Sequence, residues 1–433
     1  MPEGPTRPSR NPLSRSNPLA PAYLCVFLFS AGEHMVHVLI PPYLGVELGA
    51  SPGVVGTVLA AFAVTSLLAR FPTGAIYTVD RARRLLVIGG ALSAAAFAFI
   101  PLVGGPFAVG LLMAVDGFGW SMATTAQLAV LVAARPEGLS TASAMGWYSG
   151  FNGLGNFAAG ATAGFLADTL GFVPSLLILA AIPAVATAVM ALAMPWSRLQ
   201  RDTSGEAADR RPTLRGAWGN LRNLSVVVWA GAMVMVYINL VSAVANGFQP
   251  LLGLAAGLSL TQIGILASCR SWGSSTVRLG SGFIFARTDG KWLTTPLTLL
   301  SAASLFLIPS VASSFILQIP LFLAMGVSRG LLRVTGSTEA FDGVDDERSQ
   351  GMVAALLFAG LDLGKLIGPL AAGFTAEAFG LAAMFRILPV AFLVLYLPLE
   401  LMARRKLAAR AGATRAESPA ANPIASSGEV PPD

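Results

Sequence analysis

Twelve runs of about twenty or more mostly apolar residues follow one another along this 433-residue chain, with short polar turns between them. No other feature restricts the fold as much. A bilayer core of about 30 Å takes about 20 apolar residues in a helix. The runs cover residues 22–44, 52–76, 85–102, 106–133, 141–166 and 171–196, then 223–252, 259–285, 293–312, 313–338, 350–375 and 380–402. The expected fold is an all-α membrane protein of twelve transmembrane helices in two pseudo-symmetric six-helix bundles. The expected organisation is a disordered tail at 1–21, a first bundle at 22–196, a linker at 197–222, a second bundle at 223–402 and a disordered tail at 403–433.

Composition removes the main alternatives. Hydrophobic residues make up 55% of the chain and charged ones 12%, where a soluble domain carries about 25% charge. Mean hydropathy is +0.69. A water-soluble enzyme, a disordered protein and a disulfide scaffold are therefore excluded. The two cysteines, Cys25 and Cys269, lie inside apolar runs, which leaves no basis for a disulfide framework or a Cys-rich metal site. The first apolar run is full spanning length, so it reads as a membrane helix and not as a signal peptide.

The net charge of +6 is not a nucleic-acid footprint, because the basic residues form no continuous patch interleaved with aromatics. They cluster between apolar runs. Arg7, Arg10 and Arg15, then Arg81, Arg83 and Arg84, Arg135, the linker arginines, Arg287, Lys291, Arg348 and Arg404 to Lys406 all fall on one side. The opposite turns hold Glu47, Asp168 and Glu377 with no lysine or arginine. The positive-inside rule then puts both termini in the cytoplasm. Three of the 28 basic residues are lysine and the rest arginine; with abundant alanine, this suggests a bacterial inner (plasma) membrane protein.

The chain repeats itself. Residues 42–56 read PYLGVELGASPGVVG and residues 250–264 read PLLGLAAGLSLTQIG, a displacement of 208 that also pairs Ser66 with Ser274 and Arg70 with Arg278. After one inserted residue, a displacement of 209 pairs Asp80 with Asp289, Gly117 with Gly326 and Gly155 with Gly364. It also pairs GFLADTLG (164–171) with GFTAEAFG (373–380). Six spans per half make this a parallel repeat about an axis along the membrane normal.

With this six-plus-six repeat, the segment RFPTGAIYTVDRARR at 70–84 resembles the sequence between the second and third helices of the major facilitator superfamily. Asp80, Arg81, Arg83 and Arg84 are the matching residues. The resemblance implies two bundles rocking about a central cavity, alternating access, and no covalent chemistry. It also implies that Arg70, Asp80, Arg81 and Arg84 gate the cavity as an inter-helix charge latch, repeated loosely by Arg278 and Asp289.

Charges inside a bilayer cost roughly 2.5–3.5 kcal/mol each on insertion scales, so their positions carry information. Glu33 is at the middle of the first span, with His37 one turn away on the same face and His34 adjoining. A Glu/His pair there can load and release a proton near neutral pH; alternatively Glu33 hydrogen-bonds an inner helix or contacts solute without titrating. Asp116, Trp120, Thr124 and Gln127 recur on one face of the fourth span. Their repeat mates in the tenth are Met325, Arg329, Arg333 and Gly336. Arg270 and Lys365 add to the basic side, and an anionic or zwitterionic group could dock there. The bland alternative is internal pairing, of Asp362 with Lys365 or of Asp116 with Arg329. Asn239 and Asn246 share a face of the seventh span, as Asn152 and Asn156 do in the fifth. These stripes suit either a binding wall or helix–helix hydrogen bonding.

The resulting expectation is a secondary transporter, not an enzyme, that exports a small organic solute against a coupling proton. Glu33, His37 and Asp116 would carry the proton. His34, Trp120, Asn152, Asn156, Asn239, Asn246, Arg270, Arg329, Asp362 and Lys365 would hold the solute. The alternatives are uptake of an anionic metabolite, a transport-dead sensor and an intramembrane enzyme. No cofactor, metal or nucleic acid is expected, no G-x-x-x-x-G-K-[ST] motif for ATP is present, and the chain is expected to be a monomer in the lipid bilayer.

Overall fold

A computed structural model describes residues 19–77, 79–133, 141–194, 196, 225–285, 293–342 and 347–417. Every regular element among them is helical. The first six helices are α1 Ala20–Pro42, α2 Pro52–Ile76, α3 Val79–Phe99, α4 Pro106–Ala133, α5 Thr141–Leu170 and α6 Phe172–Ala193. The second six are α7 Val226–Ala255, α8 Leu260–Phe285, α9 Thr294–Leu307, α10 Phe315–Asp342, α11 Glu347–Phe379 and α12 Leu381–Glu417.

Local chemistry sets the turns. Ser51 caps α2 by accepting the Val54 N–H, and Pro52 takes the first helical position, where its missing N–H costs nothing. Four glycines have positive φ: Gly49 (60°), Gly171 (82°), Gly257 (88°) and Gly380 (85°). They form two repeat pairs, 49 with 257 and 171 with 380, so the sequence repeat is also a repeat of backbone conformation. Only a residue without Cβ enters that region freely.

Burial follows the two halves. Tyr237, Phe248, Phe322, Phe385 and Tyr396 belong to one core built from α7–α12. The first six helices bury two others, around Leu39, Phe97 and Leu176, and around Phe29, Leu86 and Met190. Among the described residues, nine helices are long and apolar enough to cross a bilayer, namely all but α5, α8 and α11. Those three have 30, 26 and 33 residues, and at about 1.5 Å per residue each exceeds the bilayer core in length. In α5 and α8 the shortfall is in hydropathy, because glycine, serine and threonine are frequent in both.

Two boundaries differ from expectation. Helix α3 begins at Val79, so residues 80–84 form its first turns and not a loop. Helix α12 runs past residue 402 to Glu417, so the segment expected as a tail begins as helix. Its Ala, Arg, Lys and Leu are strong helix formers, and Arg404 Nε lies 2.8 Å from Glu400 Oε1 one turn back.

The halves meet most closely near the turns α1–α2, α5–α6, α7–α8 and α11–α12, here called the far face. Along α5 and α8, Gly160 faces the carbonyl of Gly264, and Gly164 faces that of Leu260. Along α2 and α11, a methyl group on Gly373 would lie 3.1 Å from the Cα of Gly56. Gly56 with Gly264, and Gly164 with Gly373, are again repeat mates. Backbones approach this closely only where side chains are absent.

Candidate functional site

Between the far-face contacts and the opposite, terminal face lies a cavity of about 860 Å³. It is lined from both halves, by α1, α2, α4 and α5 on one side and α7, α8, α10 and α11 on the other. Of the expected site residues, Glu33, His34, His37, Arg70, Trp120, Asn152 and Asn156 line it from the first half. Asn239, Asn246, Arg270, Arg278, Arg329, Asp362 and Lys365 do so from the second.

Glu33 and His37 are one turn apart on α1, with His37 Nε2 3.3 Å from Glu33 Oε1. The same nitrogen lies 3.4 Å from Asp116 Oδ2 on α4. Asp116 is fully buried behind the wall and Glu33 is 5% exposed. Apart from this imidazole, their oxygens have no donor among the described residues. The ring of Phe62 stands edge-on to His37 at 4.5 Å. Two carboxylates withdrawn from water beside a single imidazole are costly to bury without further partners. One imidazole nitrogen and two carboxylate oxygens within 4.8 Å of one another could also hold a divalent cation.

The second half presents guanidiniums. Arg270 on α8 is 3% exposed; it donates to Asn246 Oδ1, while its Nε and Nη1 have no partner among the described residues. Arg329 on α10 donates to Asn239 Oδ1 at 3.2 Å, and Asn239 Nδ2 donates to the Leu361 carbonyl at 2.7 Å. Asn239 and Asn246 therefore hold the arginines in place. His34 lies within Coulombic reach of both guanidiniums.

Other expected residues are engaged between helices. Asn152 Nδ2 donates to Ser30 Oγ at 2.7 Å, and Asn156 Nδ2 to Asn152 Oδ1 at 3.3 Å. Trp120 stacks on Phe29, with centroids 5.4 Å apart. Asp362 meets Arg70 across the halves, Nε to Oδ2 at 3.4 Å, with Lys365 of its own helix within Coulombic reach. Asp116 lies against His37, and Arg329 against Asn239, so those two do not pair. Arg81 and Arg84 are exposed on α3, away from the cavity wall. The side chain of Asp80 and all of Asp289 lie outside the described residues.

Sequence reading passed over Arg333 as a site residue, although it lines the cavity one turn beyond Arg329 on the same face. It also took Asp168 and Glu377 only as topology markers. Both close the far face: Asp168 accepts from Leu260 and Thr261 at the start of α8, and Glu377 from Ser51 at the start of α2. Their common displacement of 209 was the available signal.

The sequence profile of the Major Facilitator Superfamily matches residues 22–334. The chain belongs to that superfamily. As a member it is a membrane transporter and not an enzyme, and it keeps the superfamily fold across both halves. The nucleoside transporter NupG superposes with a TM-score of 0.73 at 15% identity, covering 89% of this chain and 99% of that one. A bacterial homologue of the human lysosomal transporter Spinster, inward-facing and unoccupied, gives 0.69 at 17% identity, covering 90% and 97%. A POT family transporter in complex with a thioalcohol-conjugated peptide gives 0.69 at 12%, covering 89% and 96%. No curated protein matches the chain.

Proposed function

We propose that this superfamily member is a proton-coupled secondary transporter that exports a small organic solute by alternating access. The observation that carries the proposal is the buried Glu33–His37–Asp116 unit. It is reached from the cavity through Glu33 and His37 and, among the described residues, has no other hydrogen-bonding partner for its carboxylates. Ionisable groups kept at mid-membrane despite their cost are functional by default. In this reading all twelve helices span the inner membrane, in bundles 22–196 and 223–402 joined by a cytoplasmic linker. The positive-inside pattern puts both termini in the cytoplasm. The terminal face is then the cytoplasmic one, and the far-face contacts describe the inward-facing state. The chain works as a monomer, with Arg70, Arg278 and the start of α3 as gating elements.

Solute binds between Glu33 and the Arg270–Arg329 pair, flanked by His34, Trp120 and Lys365. A second reading, uptake of an anionic metabolite by proton symport, draws on those guanidiniums, which face the cavity with no carboxylate in ion-pair range. Proteoliposomes separate the two. With an imposed pH gradient, radiolabelled solute should accumulate on the proton-rich side if export is by antiport and on the proton-poor side if uptake is by symport. Accumulation indifferent to the gradient contradicts both. Glu33→Gln should abolish accumulation while leaving exchange of labelled for unlabelled solute.

A further inference from the structure

Six basic side chains face the cavity, Arg70, Arg270, Arg278, Arg329, Arg333 and Lys365, against two carboxylates, Glu33 and Asp362. Those two are already engaged, Asp362 with Arg70 and Glu33 with His37. Arg270, Arg329 and Arg333 have no carboxylate in ion-pair range among the described residues, and Lys365 has only Asp362 within Coulombic reach, which is already bound to Arg70. They are not scattered. Arg329 lies within Coulombic reach of Arg270 and Arg333, and Lys365 within reach of Arg329 and Arg333. Arg329 and Arg333 stand one turn apart on one face of α10, about 6 Å along its axis.

Like charges in a low-dielectric, partly dry cavity repel unless an anion joins them. The upper pair is built to receive one. Arg270 is 3% exposed, with Nε and Nη1 unpartnered, and the asparagines that hold it and Arg329 supply no charge. One acid group can bridge these two guanidiniums, but it leaves Arg333 without a counter-charge and Lys365 with only an Asp362 that Arg70 already holds. A zwitterion would turn its cation toward Glu33 and leave Arg333 and Lys365 without an acid group, and a neutral solute would leave all four as they are. We propose that the solute is an organic polyanion with at least two acid groups about one helical turn apart. The first sits between Arg270 and Arg329, and the second between Arg333 and Lys365. The cavity of about 860 Å³ accommodates a polycarboxylate or a phosphorylated acid. This inference rests on the reading of the chain as a solute transporter, and not on its coupling to protons.

The test is equilibrium binding to the purified full-length protein in detergent at neutral pH, with no gradient, using matched probes. Glutarate is compared with butyrate, and 3-phosphoglycerate with glycerate. The diacid of at least one pair should bind about tenfold or more tighter than its monoacid. Arg333→Gln with Lys365→Gln should lower the diacid to the monoacid level and leave the monoacid unchanged. Arg333→Lys, which keeps the charge, should retain the preference and controls for folding. Arg329→Gln should weaken both members of a pair. Equal binding within both pairs, no binding of any probe, or a preference that survives the double substitution overturns the proposal. Because no proton gradient enters the measurement, loss of coupling in vesicles with intact diacid binding would count against the proton reading alone.

Discussion

Asp168 on α5 caps the start of α8, with Oδ2 accepting the Thr261 N–H at 2.7 Å and the Thr261 hydroxyl at 2.5 Å. Its Oδ1 accepts the Leu260 N–H at 3.1 Å. A carboxylate at a helix N-terminus satisfies orphan amides and complements the helix dipole. The repeat builds a looser copy, in which Ser51 Oγ at the start of α2 donates to Glu377 Oε1 at 3.4 Å. The far face is thus closed twice by an acid from one half hydrogen-bonded to the start of a helix of the other.

Asp168→Ala should therefore loosen the far face. Asp168 is exposed, so solvent limits the contribution to about 1 kcal/mol, or roughly a fivefold change in population. A cysteine at Leu59, on the cavity wall, should label about fivefold faster from the far side with a membrane-impermeant maleimide. Adding Glu377→Ala should increase labelling further. Unchanged labelling would show that the capping contacts do not hold this state.

The same contact has a defined pH response. Partial burial raises the Asp168 carboxyl, but hydrogen bonds from the Thr261 hydroxyl and N–H and the Leu260 N–H outweigh it and hold the group below the usual aspartate value. A depressed value means the stabilisation is fully present above about pH 4 and is lost only as pH falls through the lowered value. Far-face labelling of Leu59→Cys, measured in Glu33→Gln to remove the buried acid and divided at each pH by the labelling rate of the same thiol in unfolded protein to cancel thiol ionisation, should be flat between pH 5 and 8. A rise toward pH 5 would contradict this.

Gly160→Leu tests packing in place of hydrogen bonding. Its side chain would run into the Gly264 backbone, and neither backbone can yield without parting α5 from α8. Far-side labelling should rise above that of Asp168→Ala. Labelling and melting temperature both at wild-type values would show that the helices do not need this approach.

Arg270 carries an uncompensated buried charge, so the empty protein is strained by it. Arg270→Gln should raise the melting temperature without solute by about 2–4 °C and abolish binding of the acids above. A lower melting temperature would mean that the guanidinium holds structure as well as solute.

The Glu33–His37–Asp116 donor set is compatible with a divalent cation, but coupling by protons predicts indifference to chelation. Transport measured before and after EDTA treatment should agree within error, and Mn²⁺ or Zn²⁺ should not raise the melting temperature. Loss of transport on chelation, restored by one metal, would make the triad a metal site.

The helices and their pairing were legible because spanning length and a constant displacement are properties of the chain itself. So was the Glu33–His37 contact, which helix geometry fixes at one turn. The part of Asp116 was half legible: its face on α4 was plain, but not that α4 turns it behind His37 and away from Arg329. The Arg70 partner of Asp362 was not legible for a related reason. Lys365 three residues on is a nearer neighbour in sequence, whereas Arg70 reaches Asp362 only through the packing of α2 on α11. Asp168 and Glu377 looked like isolated charges in turns because their partners, two backbone amides and two hydroxyls, lie in the opposite half, a proximity that no local sequence pattern displays.

The central claim is that the coupling proton resides on the Glu33–His37–Asp116 unit. Inside-out vesicles carrying wild type or Glu33→Gln, energised and loaded with a pH-reporting dye, test it directly when glutarate or 3-phosphoglycerate is added. The account predicts that solute dissipates the gradient in wild type and not in Glu33→Gln, while the variant still exchanges labelled solute. Solute crossing wild-type vesicles with no proton movement, or undiminished proton movement in Glu33→Gln, would contradict it.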